Sequence, residues 1–226
     1  MKYISLILVL IAPACVTQQD PTVAGDQFQL DQGERYTLAN AIQPTSRQLH
    51  VGVWDGGAVR SCKDSYGRGD VVVRKWYLKE RNARDFRQSR TFCKNMTDSG
   101  TLGSNADQPW HFDYAGSGTT GTSYISTSNL PVGVQLRGSK DILGVIRIAD
   151  VAMLYDRAGD IYAGYTGYNR ASYALGRNGR TWTLQCDPGQ VMTGIGVSEK
   201  HFTSKKQSEI RGVTIECVNL LVTQTY

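Results

Sequence analysis

Apolar and polar residues alternate over short stretches along most of the chain. Leu49-His50-Val51-Gly52-Val53-Trp54, Val71-Val72-Val73 and Val132-Gly133-Val134-Gln135-Leu136 are such stretches. So are Val145-Ile146-Arg147-Ile148, Ile195-Gly196-Val197 and Val213-Thr214-Ile215-Glu216-Cys217. Each is β-branched or follows the two-residue period of a strand. Turn-forming clusters separate them: Asp55-Gly56-Gly57, Tyr66-Gly67-Arg68-Gly69-Asp70, Asn178-Gly179 and Asp187-Pro188-Gly189. Only residues 74–90 carry a helical period, and the internal repetition described next argues for strand and loop there instead. Residues 99–128, rich in Gly, Ser and Thr, read as a long connection. Short strands with regular turns and no alternation with helices predict an all-β sandwich, barrel or prism.

The pattern repeats. Cys62 and Cys93 are separated by 31 residues, and so are Cys186 and Cys217. Val71 and Val73 follow Cys62 at the intervals at which Ile195 and Val197 follow Cys186. Asp85-Phe86-Arg87 stands where Glu209-Ile210-Arg211 stands in the later interval. A middle copy lacks cysteines: Pro131-Val132-Gly133-Val134-Gln135-Leu136 matches Met192-Thr193-Gly194-Ile195-Gly196-Val197, and Ile142-Leu143-Gly144-Val145 matches Ile210-Arg211-Gly212-Val213. One supersecondary unit used three times is expected, over about 48–97, 125–155 and 176–222, inside a single β domain at 36–226. Four cysteines allow three pairings. The repetition selects Cys62–Cys93 and Cys186–Cys217, each closing its own copy. A loop of about 32 residues closed this way adds roughly 3–4 kcal/mol by chain entropy.

The last copy has a sharper pattern. Trp182, Cys186, Gly189, Val191, Gly194, Ile195 and Val197 are followed by Ile210, Gly212, Val213, Ile215 and Cys217. In this spacing the segment 176–218 resembles the repeat of the vitelline membrane outer layer protein I family; the likeness is weaker around 48–93 and weaker still around 130–155. The resemblance implies a three-sided β-prism of three Greek-key sheets, a fold with few open edges. It also implies a structural or oligosaccharide-binding module and supplies no catalytic residue. One departure is clear: the family's acidic turn before the last repeat strand is replaced by Lys205-Lys206-Gln207-Ser208-Glu209.

Residues 1–14 read as an export signal, with Lys2 before the apolar run Ile4–Ile11, which is too short to span a bilayer. Ala12-Pro13-Ala14 supplies small residues before Cys15. Signal peptidase could cut after Ala14, or Ala12-Pro13-Ala14-Cys15 is a degenerate bacterial lipobox with Cys15 acylated. Cysteine arithmetic favours lipidation, because setting Cys15 aside from the 5 cysteines leaves four that pair off. Residues 15–35 then form a polar, lipid-anchored tether. The expected place is the outer membrane, with contact through the lipid anchor only and the face undetermined. Val16 rather than Asp after Cys15 agrees with that sorting; simple secretion is the alternative.

Composition bears mainly on chemistry. No HExxH, CxxC, GxSxG or phosphate-cradling glycine loop occurs, and His50, His111 and His201 are far apart in sequence. No enzyme activity, cofactor or metal is expected; Asp64…Asp70 and Asp156…Asp160 lack a calcium-loop rhythm. The one rival with chemistry is a hydrolase of envelope polymers using His111 and Asp113.

Two surfaces look suited to binding. Tyr155, Tyr162, Tyr165, Tyr168 and Tyr173 place five of the 12 tyrosines close together, with Gly164, Gly167, Asn169 and Arg170 between them. Flat rings rimmed by hydroxyls suit sugars or peptides. The bland alternative is that these tyrosines cap a sheet edge. Between Arg60 and Lys94 the chain carries a net +7, against +5 for the whole. Arg74, Lys75, Trp76, Lys79, Arg81, Arg84 and Arg87 form its centre, a patch that would attract anions or simply keep a face solvated. The expected partner is a glycan or anionic envelope polymer, bound without chemistry, and no specific nucleic acid. A protein–protein module (an adhesin, assembly or exclusion factor, with an envelope protein as partner) is the alternative.

Overall fold

The computed structural model describes residues 28–39, 47–52, 59–62, 70–82, 85–114, 119–124, 128–140, 146–165, 167–174, 179–202 and 207–224. The chain is nearly all strand. In order the elements are β1 (Glu34–Leu38), β2 (Arg47–Gly52), β3 (Val59–Ser61), β4 (Val71–Asn82), β5 (Asp85–Met96), β6 (Leu102–Asn105), β7 (Trp110–Asp113) and β8 (Thr119–Tyr124). They continue with β9 (Leu130–Lys140), β10 (Ile146–Asp156), the short helix α1 (Ala158–Tyr162), β11 (Asn169–Ala174), β12 (Arg180–Gln185), β13 (Gln190–Phe202) and β14 (Gln207–Gln224).

Strand order resolves these into three Greek keys, all antiparallel. The first sheet runs β8-β4-β5, with β6 and β7 both on β5. The second runs β12-β9-β10-β11. The third runs β3-β13-β14, with β2 and β1 along successive parts of the long β14. In the first two a hairpin is flanked by later strands, and in the third by earlier ones, in each case in the spatial order 4-1-2-3 of a Greek key. The third key is completed by the N-terminal strands. Backbone pairing of Ser208 with Phe86 makes the first and third sheets continuous, ten strands in all.

Two β-bulges recur at matching places and fix the equivalence of the copies. In the first strand of each hairpin the ladder skips Arg74, Val132 and Thr193. In the second strand it skips Arg87, Ala149 and Arg211. A bulge increases local twist and bends its strand, which lets flat ladders wrap one interior. The layers then match residue by residue. Trp76, Val134 and Ile195 form one set, Thr91, Met153 and Ile215 a second, and Phe86, Ile148 and Ile210 a third, none more than 1% exposed. Residues of all three sheets belong to one core, the arrangement of a β-prism. Where the first copy has the bulky Trp76, its partners shrink: Ser89 and Thr91 replace Val and the larger apolar residues. The Trp76 indole N–H donates to the Ser89 hydroxyl at 3.1 Å, which satisfies two polar groups inside the core.

This register corrects several expectations. Val71 and Val73 do not match Ile195 and Val197; Trp76 and Leu78 do. Ile142–Val145 lies outside the described residues, and Ile148 takes the place opposite Ile210. The 99–128 segment contains β6, β7 and β8, because short Gly/Ser/Thr strands gain order by pairing on β5 and β4. Residues 74–90 are strand throughout their described part. Phe28 and Leu30, inside the span expected as tether, lie against the core.

Both expected disulfides are present, Cys62–Cys93 and Cys186–Cys217. They do not close their own copies. Cys62 follows β3 of the third sheet and reaches β5 of the first; Cys186 follows β12 of the second and reaches β14 of the third. Each first cysteine donates its N–H to the carbonyl of a bulge residue, Cys62 to Thr193 and Cys186 to Val132. The bridges are therefore equivalent and run from sheet to sheet. Tyr155 occupies the half-cystine position in the second sheet. The equal spacing is compensation: the first copy enters its bulge five residues later after the cysteine and returns through a hairpin five residues shorter.

Candidate functional site

At the end of the second sheet β10 runs into α1, and the chain then doubles back through Gly164, whose φ of 79° suits glycine. Tyr165 follows, its N–H bonded to the Asp160 carbonyl. Facing this turn is the Asp187-Pro188-Gly189 corner between β12 and β13. The Gln190 side chain braces the corner, accepting from the Asp187 N–H at 3.3 Å and donating to Asn219 at 2.9 Å. Between the two turns lies a small, shallow recess, with Asp156, Tyr165 and Gly167 on one side and Gln185, Asp187 and Gln190 on the other.

Tyr165 is 64% exposed. Its ring lies against Gly167, where a Cβ would stand 2.4 Å from a ring carbon. Glycine at 167 thus serves to seat Tyr165. Asp156 is buried beneath, with a carboxylate oxygen accepting the Arg157 N–H at 3.0 Å. Burial raises the Asp156 pKa above the ordinary carboxylate value. The Asp160 carboxyl, beside it and hydrogen-bonded to it, pushes it higher, while the Arg157 N–H and charge pull partly back. The recess therefore combines a flat exposed ring with carboxyl and amide groups that can accept and donate hydrogen bonds.

The described tyrosines of the tract differ in their surroundings. Tyr155 packs against the core. Tyr162 lies against Phe28 with tilted rings 4.7 Å apart and meets Tyr36 edge-on at 6.3 Å. Tyr165 is the most exposed of the described members of the tract, and Tyr162 and Tyr168 are also exposed, at 39% and 38%. Asn169, exposed, pairs with Tyr155 in the ladder; Arg170 and Tyr173 pair with Leu154 and Val151, but their side chains lie outside the described set. Asp156, Gln185, Asp187 and Gln190 were not singled out for binding in the sequence. The Asp-Pro-Gly turn and the acid after Tyr155 were the available signals; the two glutamines gave none.

The basic segment divides by strand alternation. Trp76 is 1% exposed and belongs to the core, which corrects its place in the expected patch. Lys75 and Lys79 lie on the opposite, outer face of β4, while Arg74 and Arg87 are the bulge residues. Of Arg81 only the backbone is described, and Arg84 lies outside the described residues, as do Cys15 and the whole of residues 1–27.

His111 and Asp113 do not pair. The His111 Nε2 lies 2.9 Å from the Thr91 hydroxyl, and Asp113 accepts from the Gln88 amide. Burial, reinforced by the positive charge of Arg60, pushes the imidazole pKa down to about 3. A neutral ring held by a threonine is not set up as an acid–base group at neutral pH. Among the described residues no three His, Cys, Asp or Glu side chains gather as a metal site.

No protein-family profile matches the sequence, and no curated protein matches it. Solved structures do match in shape. Malaysian banana lectin aligns at 8% identity with a TM-score of 0.44, over 77% of this chain and 99% of that one. A mannose-specific jacalin-related lectin from Morus nigra, solved with mannose, aligns at 14% identity and TM-score 0.43, over 77% and 97%. The Cry4Aa toxin of Bacillus thuringiensis aligns at 6% identity and TM-score 0.47, over 77% of this chain and 32% of that one.

Proposed function

We propose that this protein is an exported bacterial envelope lipoprotein that binds a glycan in the recess beside Tyr165 and leaves it chemically unchanged. The carrying observation is the juxtaposition of a solvent-facing ring seated on Gly167 with the carboxyl and amide groups of Asp156, Asp187, Gln185 and Gln190. A sugar offers an apolar C–H face to such a ring, and hydroxyls around its rim to such acceptors and donors. The separate pairing of His111 and Asp113 speaks for binding over hydrolysis. Kinship with the vitelline membrane outer layer proteins belongs to this reading and rests on the Trp182–Cys217 spacing, which falls on β12, β13 and β14.

The test is a glycan array followed by titration with the best neutral oligosaccharide. Tyr165→Ala should weaken binding about tenfold, from the loss of roughly 1–1.5 kcal/mol of ring contact. Gly167→Ala, which displaces the ring without touching the core, should act in the same direction. An array without hits, or hits indifferent to both changes, sinks the glycan reading; recovery of one envelope protein in a pull-down would then favour a protein-binding module. The anchor is tested separately: Cys15→Ser should release the mature protein from the membrane fraction.

A further inference from the structure

The outer face of the first sheet has a composition unlike the recess. Along β4 it presents Lys75, Tyr77 and Lys79; along β5 it presents Gln88, Arg90, Phe92 and Lys94, the residues between them being buried. The ladder sets Lys75 opposite Phe92, Tyr77 opposite Arg90 and Arg90 opposite Trp110 of β7. Cations and rings thus alternate in both directions. The Lys75 ammonium lies 4.6 Å from the Phe92 ring centre, and the Arg90 guanidinium 5.0 Å from Phe92 and 4.5 Å from Trp110. Arg90 is fixed further by donating Nε–H to the Gln108 carbonyl at 3.0 Å, and Lys94 by donating to the Gly103 carbonyl at 2.9 Å. Among the described residues, Lys75, Lys79 and Arg90 form no ion pair.

Surface cations normally stand on mobile stems or against carboxylates. Here rings and carbonyls hold three of the four in place. Ordered by level along the sheet they run Lys94, Lys75, Arg90, Lys79, a zigzag about 20 Å long at the usual strand rise. Such a row matches a linear chain bearing regularly spaced negative groups, and the ordering cost of its cations has largely been met before binding. Cations lie over the Phe92 and Trp110 rings, so bases have little platform there on which to stack; that disfavours a single-stranded nucleic acid. Two disulfides point to an oxidising compartment, where acidic polysaccharides are among the polyanions at hand.

We propose that this face is a second site, which binds a linear anionic polysaccharide through Lys75, Lys79, Arg90 and Lys94. It shares no residue with the recess and does not depend on it.

The experiment measures binding of the full mature chain to polygalacturonate, dextran sulfate, neutral dextran and oligo-dT at 50 and 200 mM NaCl. Both acidic polysaccharides should bind, more weakly at the higher salt, and neutral dextran should not. A Lys75→Gln, Lys79→Gln, Arg90→Gln triple variant should lose at least tenfold affinity at 50 mM, and Tyr165→Ala none. If the triple variant misfolds, Lys79→Gln, which touches no ring, should still lose two- to threefold. A preference for sulfate or for carboxylate identifies the kind of acidic group. Absence of polysaccharide binding at 50 mM, tighter binding of oligo-dT, or full affinity in the folded lysine variants would each overturn the proposal. Loss through Tyr165→Ala would instead move the polyanion to the recess.

Discussion

Removing the Cys62–Cys93 bridge should do more than lower stability; it should loosen one identifiable part of the molecule. β3 is held to β13 by only three ladder pairs, at Val59, Arg60 and Ser61. Among the described residues it is held further by the Ser61 hydroxyl on Glu216 at 2.9 Å, the Cys62 N–H on the Thr193 carbonyl, and the bridge. The 31-residue separation gives about 3–4 kcal/mol from loop closure in the unfolded chain. For a domain of this size each kcal/mol moves Tm by about 2–4 °C, so the melting point should fall by about 6–16 °C. Alanine is the right replacement, because Cys93 is 2% exposed and a buried serine would add an unpaired hydroxyl. Calorimetry or circular dichroism of Cys62→Ala/Cys93→Ala measures the shift, and hydrogen exchange locates it. Exchange should quicken first in β1, β2 and β3. The Cys186–Cys217 pair closes an equal length and should lower Tm within the same range, while leaving exchange in β1–β3 comparatively protected. A shift under about 2 °C, or faster exchange spread evenly over the sheets, would refute the assignment of this bridge as the clasp between the third and first sheets.

Trp76→Ala should cost about 3–5 kcal/mol, since it empties a fully buried site and strands the Ser89 hydroxyl; chemical denaturation checks it. The raised Asp156 pKa means that the folded state binds this proton more tightly than the unfolded chain. Stability attributable to Asp156 is therefore full at pH below the unfolded value of about 4 and declines as pH rises through the folded pKa. Asp156→Asn should remove that decline and melt higher than the wild type at pH 8, and equal slopes for the two proteins would contradict it. His111 should show no ring titration by NMR between pH 5 and 8, because its pKa is pushed down to about 3. Its contribution to stability should be lost as pH falls from about 6.5 toward 3, where the unfolded chain takes up a proton that the folded one refuses.

The all-β character was legible because strand periodicity and turn chemistry are local. The bridge pairing was legible because equivalent positions in a repeat carry the same residue type. The residue-level alignment was not. Cysteine spacing served as the ruler, and a longer entry in one copy was cancelled by a shorter hairpin, so Val71 was set against Ile195 when Trp76 is its true counterpart. A Trp facing Ser89 and Thr91 in place of a small residue facing Val and Ile conserves volume only when three strands are viewed together. Charge counting found the basic segment but could not divide it, since alternation sends Trp76 inward and Lys75 outward. Likewise Tyr165 was visible as an aromatic among glycines. Its neighbours Gln185 and Asp187 come from a strand and turn that only the closed second sheet brings alongside.

The pairing of Glu34 with Gln224 has a consequence for biosynthesis. β1 has to wait for β14, so this pairing of the third key cannot form until β14 has been made. Glu34 and Gln224 lie side by side, as if the ring of three keys had been cut inside one of them. Reopening it between β8 and β9, with the old ends joined, would give a circular permutant in which every key is contiguous. Such a chain should fold faster than the natural order, with its contacts nearer in sequence.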